Sequence, residues 1–131
     1  MSTDIYVLDG EALSRAALRE RRMTARLADA HRAGIGVVTS SMTLIEAYDG
    51  QVKRSAWSWA MSRIVVEPVT REIAEAAIAL LAESGLHGHK YAVDAALVAV
   101  AERQRGNVVL YTSDEDGLKK LCGPRVAVRG L

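Results

Sequence analysis

The chain has a single cysteine, Cys122. It therefore cannot form an internal disulfide; the fold must rest on packing, and a reducing compartment suits it. No apolar run approaches the roughly 18 residues needed to cross a bilayer. The start, Met-Ser-Thr-Asp-Ile-Tyr-Val-Leu-Asp, lacks a basic n-region and an apolar core of signal length, so no secretory leader is expected. Charge of one sign is also scarce. Lys and Arg number 17 against 16 Asp and Glu, a formal charge of +1. That balance argues against strong nonspecific binding to nucleic acid but allows a local basic patch. There is no internal repeat, no low-complexity tract, and no G-x-G-x-x-G after the first apolar run to suggest dinucleotide binding. These absences leave a soluble, cytoplasmic protein with no membrane partner.

What is present is enough for one domain, residues 1–131, with a real hydrophobic core: half of the residues are apolar and a quarter charged. Ile5-Tyr6-Val7-Leu8 is a continuous apolar run closed by Asp9, the pattern of a parallel strand covered on both faces. Glu11 to His31 is free of Pro and Gly and reads as helix, either one or two with a break near Arg21. Val37-Val38 forms a second strand. Thr39-Ser40-Ser41 then starts a helix carrying Glu46, and Gly50 interrupts it. Gln51 to Met61 is predicted helical, Ile64 to Val66 a third strand, and Arg71 to Ala82 a helix capped by Thr70. Ser84 to His89 reads as a loop. Lys90 to Glu102 is a helix, apolar nearly all round and so expected in the middle of the domain. Val108 to Tyr111 is a fourth strand, a short helix runs to about Leu121, and Val126 to Val128 is a fifth, edge strand. The predicted class is α/β: a three-layer α/β/α sandwich on a mainly parallel sheet of four to five strands.

Asp94 is the anomaly in this pattern. An unpaired carboxylate in an apolar helix costs several kcal/mol or becomes neutral, so a cation, a hydrogen-bond network or a metal shared with other carboxylates should compensate it. Asp9 and Asp114 follow the ends of the first and fourth strands, at the edge where parallel sheets bind ligands. Glu46 lies on the helix leaving the second strand. Four carboxylates around one cleft would repel one another severely without a cation. Hard oxygen donors select Mg²⁺ or Mn²⁺ and suit metal-assisted hydrolysis of a phosphodiester.

Each residue also has a plainer explanation. Asp9 is a common turn residue. Thr43 to Glu46 has capping-box spacing. Asp114 or Ser113 could cap the last helix, with Asp116 complementing its dipole. Asp94 could pair with Lys90 or an arginine. Arg15, Arg19, Arg22 and Arg26 would fall in one sector of a single helix, either as a solvated face or as an RNA phosphate contact. His87 and His89 lack the further Cys or His that a zinc site needs. Trp57, off the apolar stripe of its helix, is a candidate protein contact or packs under a loop.

The order of Asp9 in Tyr-Val-Leu-Asp, Glu46 in Ser-Met-Thr-Leu-Ile-Glu-Ala, Asp94 in Tyr-Ala-Val-Asp-Ala-Ala-Leu and Asp114 in Leu-Tyr-Thr-Ser-Asp-Glu-Asp resembles the PIN-domain nucleases. Within them it looks most like the VapC-type toxins of bacterial toxin–antitoxin pairs. The resemblance covers essentially the whole chain. It implies Asp9, Glu46, Asp94 and Asp114 as catalytic, metal-binding residues for Mg²⁺ or Mn²⁺, with Asp116 as a fifth ligand. It also implies Thr112 and Ser113 as groups that orient ligands or phosphate. His89 and Lys90, just before the Asp94 helix, are further candidates for contact with substrate phosphate. The implied activity is endonucleolytic cleavage of RNA, and the implied partners are a second copy and a small antitoxin laid across the cleft.

Gly10-Glu11 departs from the pattern, since many relatives have Ser, Thr or Ala soon after the first aspartate. Glu11 is expected to face solvent. Two other classes compete. One is a PIN-like binding module with vestigial carboxylates. The other is a different α/β carboxylate enzyme, such as an aspartyl phosphatase, whose Asp-x-Asp is only approximated by Asp9-Gly10-Glu11.

Overall fold

A computed structural model of the protein describes residues 3–131. Met1 and Ser2, the first residues of the stretch read for a leader, lie outside them. The sheet has five strands, β1 (Asp4–Leu8), β2 (Gly36–Ser40), β3 (Val65–Glu67), β4 (Asn107–Thr112) and β5 (Val126–Gly130). All pairings are parallel and the spatial order is β3-β2-β1-β4-β5. The chain first builds outward from β1 through β2 to β3, then crosses back to place β4 on the other side of β1. The order therefore reverses between β1 and β4, and that reversal opens a crevice at the C-terminal strand edge.

Alternation along β1 explains why its apolar run is continuous. Ile5 and Val7 enter one core and Tyr6 and Leu8 the other. One face is covered by α5 (Arg71–Ser84), α6 (Gly88–Glu102) and α7 (Glu115–Leu121); the other by α1 (Gly10–Ala17), α2 (Arg21–Ala33) and α4 (Arg54–Met61). A short helix, α3 (Ser41–Glu46), packs against α1 and α6 at the strand ends. This is the α/β/α sandwich that the sequence predicts. Fully buried leucines such as Leu97 and Leu110 each contribute about 1.5–3 kcal/mol by leaving water.

The structure refines several local expectations. The 11–31 segment is two helices, because Arg19 adopts a left-handed backbone (φ 61°) and Glu20 caps α2 by accepting from the Met23 N–H at 2.7 Å. The four-arginine sector of a single helix therefore does not exist. Arg19 turns away to donate to Ser55 Oγ at 3.0 Å. Helix α4 starts at Arg54 rather than Gln51, which leaves Val52 outside it, and β3 lies one residue later than expected. Helix α6 starts at Gly88, so Gly88 and His89 are in its first turn rather than in a loop, while Lys90 is helical as expected. Thr70 caps α5 as expected, accepting from the Ile73 N–H. Cys122 packs against the α5–α6–α7 core, and burial, then the Glu102 charge, pushes its thiol up to about 12. It behaves as a small hydrophobe with little thiolate character. No helix among the described residues is long and apolar enough to cross a membrane.

Candidate metal centre

Asp9 is almost fully buried where β1 gives way to α1, and both of its carboxylate oxygens are engaged. Oδ1 accepts from the Ala12 N–H at 2.9 Å, capping α1. Oδ2 accepts from Thr112 Oγ1 at 2.6 Å and from the Ser113 N–H at 3.2 Å. The plain turn role thus holds in part, since Asp9 is a helix cap. The Oδ2 bonds go further and tie the end of β1 to the end of β4. Charge-assisted bonds of this kind are the stronger class.

Thr112 links two acids. Its hydroxyl donates to Asp9 and accepts from the Asp114 N–H at 2.9 Å. It is fully buried, so it positions carboxylates and is not available to contact substrate. Asp114 caps α7 through Oδ1, which accepts from the Gly117 N–H at 3.1 Å. A Cβ on Gly117 would stand 2.2 Å from Asp114 Oδ2, so that glycine makes room for the carboxylate. Asp116 is exposed in the first turn of α7. It shares with Asp114, Ser113 and Arg15 an open cleft of about 500 Å³.

Glu46 is the last residue of α3. The capping-box explanation fails, because the cap of α3 is Ser40, whose Oγ accepts from the Thr43 N–H at 3.2 Å. Thr43 is inside the helix, and its own hydroxyl lies 3.0 Å from Ser40 Oγ. Thr39 donates to the Leu8 carbonyl at 2.8 Å, and Ser41 accepts from the Val69 N–H at 3.0 Å. These hydroxyls fix α3 to the sheet and so aim Glu46. A carboxylate at a helix C-terminus opposes the helix dipole. Burial, then the Asp94 charge, then Asp9 push the Glu46 carboxyl above the usual carboxylate range, while the Gly10 N–H draws it partly back. A Cβ on Gly10 would stand 2.1 Å from Glu46 Oε1. The glycine that departs from the family pattern thus leaves space for Glu46. Glu11 pairs with Arg15 at 3.1 Å instead of entering the site.

Asp94 is less buried than its apolar helix suggests. Ala95 to Ala101 are buried, but Asp94 lies only part-way in, on the N-terminal side of that enclosed stretch. The ion-pair explanation fails: among the described residues no Lys or Arg nitrogen lies within 4.0 Å of it. Lys90 lies over the Tyr91 ring, 5.3 Å from its centroid. Burial, then Asp9, then Asp114 push the Asp94 carboxyl up. Asp9, Glu46, Asp94 and Asp114 are thus one electrostatic group, with no Lys or Arg paired to any of the four among the described residues.

Among the described residues, no three His, Cys, Asp or Glu side chains stand close enough, as they lie, to ligate one ion. The donor chemistry still fits a hard divalent cation. The donors are carboxylate oxygens that repel one another, and the partial positive charge at the N-termini of α1 and α7 offsets only part of that repulsion. His89 and Lys90 are exposed one turn before Asp94, and Ser113 is exposed beside Asp114. His87 precedes α6 without a side-chain capping bond. Trp57 is half-buried against a groove with Leu44, Tyr48 and Val52, so it packs under the α3–α4 connection more than it projects.

The residues that sequence reasoning missed are Gly10, Thr39, Ser40 and Thr43. Their available signal was small or polar residues at the end of an apolar strand, Thr39 and Ser40, or in the first turn of the helix after one, Gly10 and Thr43. Comparison with curated protein sequences gives no match. Among solved structures, the chain is similar to the crystal structure of VapBC2 from Rickettsia felis bound to a DNA fragment from their promoter. That match has a TM-score of 0.68 and 16% identity, and it covers 97% of this chain and 98% of that one. At this identity the likeness speaks for the fold alone. A family model for the PIN domain matches residues 6–124, from the middle of β1 to just before β5, and the chain therefore belongs to the PIN-domain family, whose members are nucleases.

Proposed function

We propose that the protein is a Mg²⁺- or Mn²⁺-dependent endoribonuclease, the toxin of a type II toxin–antitoxin pair acting in the cytoplasm. The observation that carries this reading is the mutual repulsion of Glu46, Asp94, Asp9 and Asp114 at the strand-order reversal, with no Lys or Arg paired to them among the described residues. Asp9, Glu46, Asp94 and Asp114 would hold the metal, with Asp116, which lines the open cleft beside Asp114, as a fifth ligand. A divalent ion there would supply Lewis-acid stabilisation of phosphate charge and a more acidic bound water.

The chain's own residues do the rest. Thr112 and the Ser113 N–H hold Asp9 in one rotamer, so the acids are positioned before substrate arrives. His89, Lys90 and the Ser113 hydroxyl are exposed at the rim, where they can bind phosphate oxygens. The Rickettsia neighbour is a VapBC2 assembly, which supports a small antitoxin as partner here. Ile45 and Tyr48, 75% and 79% exposed on either side of Glu46, offer apolar surface that an antitoxin or a second copy would cover.

A binding module without catalysis is favoured only by the spread of the carboxylates. An aspartyl phosphatase fits less well, because both oxygens of Asp9 already accept hydrogen bonds and Glu11 is paired with Arg15. The test is incubation of the protein with single-stranded RNA, Mg²⁺ or Mn²⁺, and a chelator control. Fragments that need metal are expected. Intact RNA under both metals, or equal cleavage in chelator, would overturn the reading.

Gly10→Ala tests the positioning of Glu46. A methyl group there would displace the Glu46 carboxylate, so cleavage is expected to fall about 10–100-fold, as for residues that orient metal ligands. Stability should hold or fall, by up to about 1–3 kcal/mol for a methyl forced into a packed contact, because Gly10 is buried at the first position of α1. Full activity in this variant would remove Glu46 from the site.

A further inference from the structure

The cleft beside Asp114 does not end at the carboxylates. Arg15 and Leu131 also border a shallow depression with Glu20, Arg22 and Arg26, and the last two line a further hollow along α2 with Tyr6. We propose that Arg15, Arg22 and Arg26 form a track that holds the phosphates of single-stranded RNA on its way to the acidic site. The proposal rests on the nuclease reading for what the strand is delivered to.

Three observations support it. First, the acids along the groove are already engaged. Glu20 caps α2 through the Met23 N–H, Asp29 pairs with Arg32, and Glu11 takes only one nitrogen of Arg15. Second, Arg22 and Arg26 have no carboxylate partner among the described residues. They sit one turn apart on the same face of α2, so two guanidinium groups are presented in a row along the groove. Third, one aromatic ring, Tyr6, lines the groove, and a second, Tyr111, supports Arg26 from beneath. The Arg26 guanidinium lies 4.1 Å from the Tyr111 ring centroid, and Tyr111 meets Tyr6 edge-on with ring centroids 5.2 Å apart. A basic groove with an aromatic side chain in its wall is how proteins hold single strands without reading sequence. Although the helix breaks at Arg19, the break docks α2 beside α1 so that Arg15 joins Arg22 and Arg26, while Arg19 leaves the set.

The test is fluorescence anisotropy of a labelled 12-nucleotide single-stranded RNA in chelator, where binding is separated from cleavage. Wild type, Arg22→Ala, Arg26→Gln and the double variant are compared, with Arg71→Ala on α5 as control and circular dichroism to check folding. Arg22 is exposed, so its truncation tests the track even if Arg26→Gln unfolds. The double variant is expected to bind about tenfold more weakly, and its salt slope to fall by about 1.4, or 0.7 for each phosphate no longer neutralised. Wild-type affinity and slope in folded Arg22→Ala, or no RNA binding by wild type, would overturn the track. So would an acidic peptide that the same arginines bind more tightly than RNA. Cleavage in Mn²⁺ is scored separately: cleavage with an unchanged slope removes the track alone, and arginine-dependent binding without cleavage removes the nuclease reading alone.

Discussion

Asp94→Asn is expected to lower metal-dependent RNA cleavage by at least about a hundredfold while raising the melting temperature of the metal-free protein. The loss follows from removing one anion of the set that would hold the ion; deleting a single preorganised electrostatic group commonly costs about 10²–10³ in rate. The gain follows from the same residue. Asp94 is pushed up by burial and by Asp9 and Asp114, so its charged form is a cost in the metal-free fold. Relieving such a cost commonly contributes about 0.5–2 kcal/mol, or a few degrees of melting temperature in a domain of this size.

The pH dependence has a definite sign. A carboxylate pushed up on folding binds its proton more tightly in the folded chain, so the penalty is full above the folded value. It fades as pH falls through that value towards 3.8, the ordinary value for Asp. The stabilisation by Asp94→Asn should therefore be largest near neutrality and shrink in acid. Added Mn²⁺ should reverse the ranking, since a ligand at a hundred times its Kd stabilises the folded state by about 2.7 kcal/mol. Thermal melts across pH, with and without Mn²⁺, check each part. A variant that melts lower than wild type in chelator at neutral pH would show Asp94 to be satisfied within the chain.

Thr112→Val should be the most damaging substitution that leaves every acid in place. Valine keeps the shape but removes the hydroxyl between Asp9 Oδ2 and the Asp114 N–H. Leaving buried groups unsatisfied costs about 1–3 kcal/mol, visible as a lower urea midpoint at unchanged slope. Cleavage should fall about 10–100-fold in kcat, as expected when a metal ligand loses its support. Thr112→Ser retains the hydroxyl and should recover most of both. Equal stability and activity in valine and wild type would mean that Asp9 is held without Thr112.

The strands were legible because parallel strands covered on both faces need unbroken apolar runs, which β1 and β4 have and β2 has in Val37-Val38. Edge strand β3, shorter and half exposed, was placed one residue early. The break between α1 and α2 left no glycine or proline to mark it. It depends on a left-handed Arg19 and on Glu20 acting as a cap, and neither residue type announces those roles. Asp94 stands out in the sequence for a reason that is only half right. An apolar circumference reads as deep burial, yet only the Ala95–Ala101 portion of α6 is enclosed, and Asp94, just before it, is part-exposed. The site's supports were least legible. Thr112 gains its role from a partner 103 residues away, and Gly10 from a side chain on another helix, so each could be found only once the sheet order was known.

The claim that these carboxylates share a divalent ion is tested most directly by calorimetric titration of the metal-free protein with Mn²⁺, in parallel with Asp94→Asn. Wild type should take up about one or two ions per chain, as metal nucleases do, with proton release if Glu46 or Asp94 gives up a proton on binding. The variant should bind far more weakly. No Mn²⁺ uptake by wild type, or the same uptake in Asp94→Asn, would contradict a metal centre at Asp9, Glu46, Asp94 and Asp114.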